Sequence, residues 1–437
     1  MKTVQKKSIH QYYPVRGWSF LGRLLLIPLK ALFKLIAYFN KSRWGYPLKS
    51  FEENPAYFTW KDALYLGAKY YGKPHESGQI ADSQRSLKEI TGQADRLMIH
   101  AGGDLMPYEV MMNGRSDELW SLCGEDFFGS DITMANLETP MDFCKKPSYV
   151  PELMLNDMQF NGSRALLDVF TAHGSYSYDY LSLANNHMLD AGTSSLKETM
   201  QFLDSRKIPF SGARRHKGEN DFVILQKNGF NIGIVNYTYS LNRVNPDDEA
   251  MDIICHLRLN DPLSDIHPLF DALKAAKSQG AEVVIASLHM GNAYQCYPSE
   301  HIRNRVLEIF EFGEPDVIFI HHPHNLQPSE VVHYHRKSDG KEVRGIVYYS
   351  LGDFVAYDIF SWSHLTGYAT LELAKTPSGE VLINSGFKFL YLHCDKMGNF
   401  RFIPWDLAQT DKKYQDDHYF FLKDWYDRHA CNFFQNN

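Results

Sequence analysis

Five short apolar runs in this chain each stop at an acid, an amide or a histidine. That pattern constrains the fold more than any other feature. Leu97-Met-Ile99 leads into Ala101-Gly-Gly-Asp104. Asp131-Ile-Thr-Met-Ala-Asn136-Leu-Glu138 carries its polar residues at its end. Tyr180-Leu-Ser-Leu-Ala184 is followed by Asn185, Asn186 and His187. Glu282–Leu288 stops at His289, and Asp316–Ile320 stops at His321-His-Pro-His324. Apolar runs this short, bounded by Gly and polar residues, predict buried strands. Helical stretches at Leu196–Asp204, Pro268–Ser278 and Glu300–Phe312 fall between them. Alternating strand and helix predicts an α/β sheet core, where sites form beyond the carboxyl ends of strands. Asp104, Asn136, Glu138, Asn186, His187, His289, His322 and His324 are therefore expected to converge on one pocket.

Taken singly, each residue has a plainer explanation. Asp104 suits a tight loop after the Gly pair, and Asn185-Asn186 suits a helix cap. A lone His289 is more often a satisfied core histidine. Five coincidences at strand ends carry the inference. Carboxylates, amides and imidazoles without a thiolate suit zinc, manganese or iron. Two such ions need six or more ligands and can generate a bound hydroxide for attack on phosphorus. Asn161-Gly-Ser163-Arg lacks the second Gly of a serine-hydrolase elbow, and no Walker loop is present. Six cysteines occur singly, without a CxxC pair.

Further along, Phe222–Leu225 and Asn231–Tyr237 predict a hairpin around Asn228-Gly229. Val343–Ser350 predicts a strand ending at Gly352-Asp353. Tyr368–Leu373, Val381–Ile383, Lys388–His393 and Phe400–Ile403 predict a β-rich finish. The chain thus divides into a basic amphipathic arm (1–50), a connecting segment (51–95), the site-bearing domain (96–360) and a β-rich extension (361–437).

Ten of the 45 Lys and Arg lie in residues 1–50, which hold none of the 52 Asp and Glu. The other 387 residues therefore carry a net charge of −17. So acidic a body makes nucleic acid an unsuitable partner. Trp18–Phe39 is nominally long enough to span a bilayer, but Arg23, Lys30, Lys34 and Pro28 interrupt it. Leu29, Leu32, Phe33 and Ile36 share one helical face, with Lys30, Lys34 and Lys41 toward the other. Residues 18–43 then lie either on an anionic membrane surface or against the protein's own body. The expected location is peripheral membrane or cytoplasm.

Six segments occur in a telling order: Gly103-Asp104-Leu-Met106, Ala135-Asn-Leu-Glu-Thr-Pro140, Leu183-Ala-Asn-Asn-His-Met-Leu-Asp-Ala-Gly192, Ser287-Leu-His-Met-Gly291, His321-His-Pro-His-Asn-Leu-Gln327 and Tyr349-Ser-Leu-Gly-Asp-Phe-Val355. Together they resemble the bacterial capsule-synthesis CapA family, linked to poly-γ-glutamate capsule biosynthesis. That family is similar to the calcineurin-like metallophosphoesterases. The resemblance covers about residues 96–356. It implies a four-layer α/β sandwich of the metallophosphoesterase type, with one or two divalent transition metals, Mn, Fe or Zn. It places Asp104, Asn186, His289, His322 and His324 as ligands. Asn136 or Glu138 stands in the bridging position, and Glu138 is favoured because a carboxylate bridges cations better than an amide. His187 matches the histidine that assists the leaving group, with Asp190 placed to orient it. Met106, Met290, Ala293 and Asp353 depart from the family pattern. The resemblance implies a metal-dependent phosphoester hydrolase serving capsule synthesis, acting on a polyanionic polymer or another phosphoester. The alternatives are a non-catalytic accessory that binds polymer or synthase at the membrane, and a hydrolase of amide-linked polymer.

Overall fold

The computed structural model describes residues 20–39, 64, 95–150, 159–242, 246–358 and 361–434. Most of the connecting segment and part of the arm lie outside these residues. The helix α1 spans Phe20–Phe39 with Pro28 inside it. The strands that follow are β1 (Arg96–Leu105), β2 (Ile132–Leu137), β3 (Tyr180–Ser182), β4 (Phe210–Ser211), β5 (Phe222–Lys227), β6 (Phe230–Thr238) and β7 (Val283–His289). They continue as β8 (Val317–His321), β9 (Leu326–His335), β10 (Glu342–Leu351), β11 (Asp353–Val355), β12 (Leu365–Lys375), β13 (Val381–Cys394) and β14 (Phe400–Pro404). Helices α2 (Gly124–Phe128), α3 (Arg164–Phe170), α4 (Thr193–Arg206), α5 (Asp248–Ile253), α6 (His267–Ser278), α7 (Glu300–Gly313), α8 (Trp405–Thr410) and α9 (Asp417–Arg428) fall between or after them.

Among the described residues the strands form two sheets. One has eight strands, ordered β14-β13-β12-β1-β2-β3-β4, with β11 also on β1; the other has six, ordered β5-β6-β7-β8-β10-β9. Pairings β1·β2, β2·β3, β6·β7, β7·β8 and β8·β10 are parallel. Strands β2, β7 and β8 are buried throughout, which explains their unbroken apolar runs. Ile99, Ile132 and Met134 of the first sheet meet Ile232, Ile285 and Phe319 of the second in one core. A second core sets Leu137 and Leu181 of the first sheet against Leu166 of α3 and Leu196 and Met200 of α4. A third sets Val284 and Ile318 of the second sheet against Leu273 of α6 and Val306 of α7. Helix, sheet, sheet, helix is the four-layer α/β sandwich.

Two local devices shape it. Asn228 (φ 48°) and Gly229 (φ 80°) make the two-residue turn of the β5–β6 hairpin. The Gly pair before Asp104 does not make a loop, contrary to the sequence expectation. Strand β1 continues through it, and a Cβ on Gly103 would lie 1.9 Å from the Gly352 carbonyl oxygen. The glycines are there for close approach, which lets β11 lie against β1 with Asp104 opposite Asp353.

The C-terminal strands are not set apart. β12 pairs with β1 over seven residues, so they extend the sheet that carries Asp104. The finish is also helical: α8 and α9 follow β14, and Trp405, Tyr419 and Trp425 join the core between the sheets. On α1, Leu24, Ile27, Leu32, Leu35, Tyr38 and Phe39 are exposed, while Leu29, Phe33 and Ile36 are half-buried. No helix of the described residues is long and apolar enough to cross a membrane.

Candidate metal centre

The carboxyl ends of parallel strands from both sheets meet at one place. Asp104 is the penultimate residue of β1, Asn136 is the penultimate residue of β2 and Glu138 follows it, and Asn185, Asn186 and His187 come after β3. His289 ends β7 opposite His321, which ends β8, and His322 and His324 follow. All are buried: Asp104, Glu138 and His289 at 0%, His324 at 7%.

The contacts join the two sheets. Asn136 Nδ2 donates to Asp104 Oδ1 at 2.8 Å and lies 3.4 Å from His289 Nδ1. His289 Nε2 lies 2.8 Å from Asn186 Oδ1 and 3.5 Å from Glu138 Oε1. His321 Nδ1 lies 3.1 Å from Asp104 Oδ1, and the His322 backbone N–H donates to Asp104 Oδ2 at 3.3 Å. His324 Nδ1 lies 3.0 Å from Asp353 Oδ1 and 3.9 Å from Asp104 Oδ2. Ligand-capable atoms of Asp104, Glu138 and His324 all lie within 4.8 Å of one another. Glu138 thus stands between two groups, Asp104 with His324 on one side and His289 with Asn186 on the other.

The electrostatics follow from this crowding. Burial alone would raise the Asp104 carboxyl, but the His321 hydrogen bond and the imidazoles of His321, His289 and His324 hold it well below the usual range. Burial, reinforced by Asp104, pushes the Glu138 carboxyl well up. Burial and neighbouring imidazoles push His289 and His322 well down. Burial opposes charge on His324 as well, yet Asp353 holds it up at about 9. Asp353 itself is pushed up by burial to about 7, against the pull of His324.

The donor set fits a divalent cation. Glu138 Oε1, His322 Nδ1 and Asp353 Oδ2 are buried with no hydrogen-bond partner among the described residues. Orphaned polar atoms at such depth are costly, and a cation satisfies them. His322 (φ 97°) and His324 (φ 60°) both adopt backbone conformations that non-glycine residues avoid. Strain of that kind is retained where a loop must present side chains to one point.

Asn136 presents its NH₂ to Asp104, while its Oδ1 lies 3.4 Å from Asn185 Nδ2, so it braces the first carboxylate. His187 stands beside the cluster, with Nδ1 2.7 Å from Asp190 Oδ2. Met106 is buried, its backbone N–H bonded to Val355 O. Five contributors were not singled out from sequence. His321 and Asp353 flank Asp104 and His324. Asn185 also donates to the Leu137 carbonyl at 2.8 Å, and Tyr239 Oη lies 3.0 Å from His322 Nε2. Phe160 stacks on His187. His321, Asn185 and Asp353 carry a signal, their place at a strand end, and Tyr239 and Phe160 carry none.

The chain is similar to known proteins. The chain is 24% identical over 263 residues to the capsule biosynthesis protein CapA of Bacillus anthracis, covering 56% of this chain and 58% of that protein. It is 22% identical over 242 residues to the PGA biosynthesis protein CapA of Bacillus subtilis (strain 168), covering 55% and 57% respectively. The match thus spans less than two thirds of each relative's length. The crystal structure of the calcineurin-like phosphoesterase YfkN from Bacillus subtilis aligns over 76% of this chain and 99% of that one, at 15% identity and a TM-score of 0.39. The model of the bacterial capsule synthesis protein PGA_cap matches residues 98–358, the segment that carries every residue of the centre, and the chain belongs to that family.

Proposed function

We propose that this capsule-synthesis family member is a metal-dependent phosphoester hydrolase. The supporting observation is the convergence of Asp104, Glu138 and His324 within 4.8 Å, beside an orphaned Glu138 oxygen. Asp104, Glu138, Asn186, His289, His322 and His324 would hold one or two ions of Mn, Fe or Zn, with Asn136 bracing Asp104. A bound divalent cation supplies Lewis-acid polarisation of a phosphoryl oxygen and a nucleophile at neutral pH. The protein's own residues supply the rest. His187, held through Nδ1 by Asp190, keeps Nε2 for the proton. That proton passes to the leaving oxygen as the phosphorus–oxygen bond breaks, and the electron pair stays on that oxygen. The substrate is a phosphoester or polyanionic polymer of capsule synthesis.

Metal content of the purified protein, followed by turnover of phosphomonoesters and diesters, tests the reading. At least one transition metal per chain is expected, lost in His322→Ala or His324→Ala. Wild-type stoichiometry in both variants would show that the site is misassigned. Met106 supports a second reading, a non-catalytic accessory that binds polymer or synthase, because an apolar side chain stands where the related phosphoesterases place a histidine. Metal without turnover of any ester is the result that selects it.

We further propose that residues 18–43 lie on an anionic membrane surface, making the protein peripheral. Of the expected face only Leu32 is exposed, with Leu29, Phe33 and Ile36 half-buried, and exposed Leu24, Ile27 and Leu35 supply the rest of the apolar area. Each basic residue near the surface adds about 1 kcal/mol. Full-length protein should bind phosphatidylserine vesicles at low salt and leave them at high salt. Deletion of residues 1–50 should abolish binding and leave the metal content intact. No binding at low salt, or a fold lost on deletion, would refute the assignment.

A further inference from the structure

His187 is held from two directions by a single residue outside the metal cluster. The Phe160 backbone N–H donates to Asp190 Oδ2 at 2.8 Å, and the same oxygen lies 2.7 Å from His187 Nδ1. The Phe160 ring lies nearly parallel to the imidazole, with centroids 3.9 Å and planes 18° apart. Both residues are buried. A flat ring on one face of the imidazole restricts its rotation about the bond to Cβ. The amide keeps the Asp190 oxygen aimed at Nδ1.

Phe160 is itself anchored. Asn161 and Ser148 exchange backbone hydrogen bonds of 3.0 and 2.9 Å. Asn161 Oδ1 accepts from the Asp142 backbone N–H at 3.0 Å, and its Nδ2 donates to the Asp142 carbonyl at 2.9 Å. Asp142 Oδ2 accepts from Ser195 Oγ at 2.8 Å, in the first turn of α4. Lys145 Nζ donates to the same Ser195 Oγ at 2.7 Å. Asp190 lies just before that turn. Asp142, Ser148 and Asn161 are thus tied to one another and to the start of α4 by polar bonds, those between Asp142, Asn161 and Ser195 buried, and Phe160 keeps a fixed place over His187.

We infer that Phe160 is a positioning residue for His187, holding Nδ1 on Asp190 so that Nε2 carries the transferable proton. This rests on the reading of His187 as the acid that protonates the leaving oxygen. A residue that merely filled the core would affect all substrates alike. A residue that orients the acid matters only when the leaving group needs a proton.

The test uses the full chain in three variants, Phe160→Leu, Phe160→Tyr and His187→Gln, with 4-nitrophenyl phosphate and an alkyl phosphomonoester as substrates. Phe160→Leu keeps the apolar volume and loses the flat face. It should lose about 10²-fold on the alkyl ester, the scale expected of a misplaced catalytic group. The nitrophenyl ester should be nearly unaffected, and Phe160→Tyr should restore the alkyl rate. In parallel, proton NMR of ¹⁵N-histidine-labelled protein reads the His187 Nδ1–H signal, assigned by its loss in His187→Gln. The signal should broaden or vanish in Phe160→Leu and persist in Phe160→Tyr. Equal losses on both esters, or an unchanged signal in Phe160→Leu, would overturn the proposal. Equal behaviour of His187→Gln and wild type on the alkyl ester would instead remove the acid role. The resonance still reports on Phe160 in that event, so the two failures are distinguishable.

Discussion

His187→Ala is expected to cut turnover of an alkyl phosphomonoester by roughly 10²–10⁴-fold, the usual span of general acid–base catalysis. Metal content should stay at the wild-type value. Both halves follow from geometry. His187 bonds to Asp190 at 2.7 Å and stacks on Phe160, and the Asp104, Glu138 and His324 cluster does not include it. Alanine therefore removes the proton donor and leaves the carboxylates in place. An ester with a nitrophenyl leaving group departs without a proton, and should lose far less. Unaltered turnover on the alkyl ester would sink the role. Loss of metal together with activity would show that His187 is a ligand.

The convergence of the candidate site's residues is legible in the sequence because they stand at the ends of buried parallel strands. Burial on both faces makes such strands read as continuous apolar runs, and the first polar residue then marks where each leaves the core. Glu282–Leu288 and Asp316–Ile320 were each displaced by one residue from the observed β7 and β8. What needed the third dimension was lost. Strand β9 was not expected, because Leu-Gln-Pro-Ser-Glu-Val-Val-His-Tyr-His alternates polar residues and contains Pro328. It is an edge strand, where both are tolerated. The sequence pattern breaks β13 at Asn384-Ser-Gly-Phe387, although Gly386 pairs with Thr370 and its carbonyl accepts from Tyr348 Oη at 2.7 Å. The Asp353–His324 contact depends on β11 crossing to lie against β1, and no local pattern announces that. Phe160 comes from a loop whose composition carries no chemical signal, so only the tertiary structure reveals its seat on His187.

A divalent cation should raise the melting temperature of the wild-type protein, and Glu138→Gln and His324→Ala should both abolish that response while moving the cation-free protein in opposite directions. Asp104, Glu138 and Asp353 are 0–1% exposed, so three carboxylates share a dry pocket. Desolvating each costs several kcal/mol unless it is partnered. Asp104 is compensated by His321, and Asp353 by His324 at 3.0 Å. Glu138 Oε1 has no hydrogen bond, with His289 Nε2 at 3.5 Å, and Oε2 has only a long bond from Asn136 Nδ2 at 3.5 Å, so it is the acid that most needs a cation. A cation that binds only the folded state adds about 2.7 kcal/mol at a hundredfold excess over Kd. Glutamine at 138 keeps the volume and removes the cost of burying an acid whose carboxyl is pushed well up by burial and Asp104, a cost incurred at neutral pH because the unfolded chain holds it ionised, so the cation-free variant should melt higher than wild type. Alanine at 324 strips Asp353 of its partner, and an uncompensated buried charge costs about 3–5 kcal/mol, so that variant should melt lower. Calorimetry with and without Mn²⁺ or Zn²⁺ reads both effects. A wild-type cation response in Glu138→Gln would mean that the ion, if any, is held elsewhere. Lower cation-free stability in the same variant would mean that Glu138 is a satisfied structural acid, and the case for a shared carboxylate between two ligand groups would fall with it.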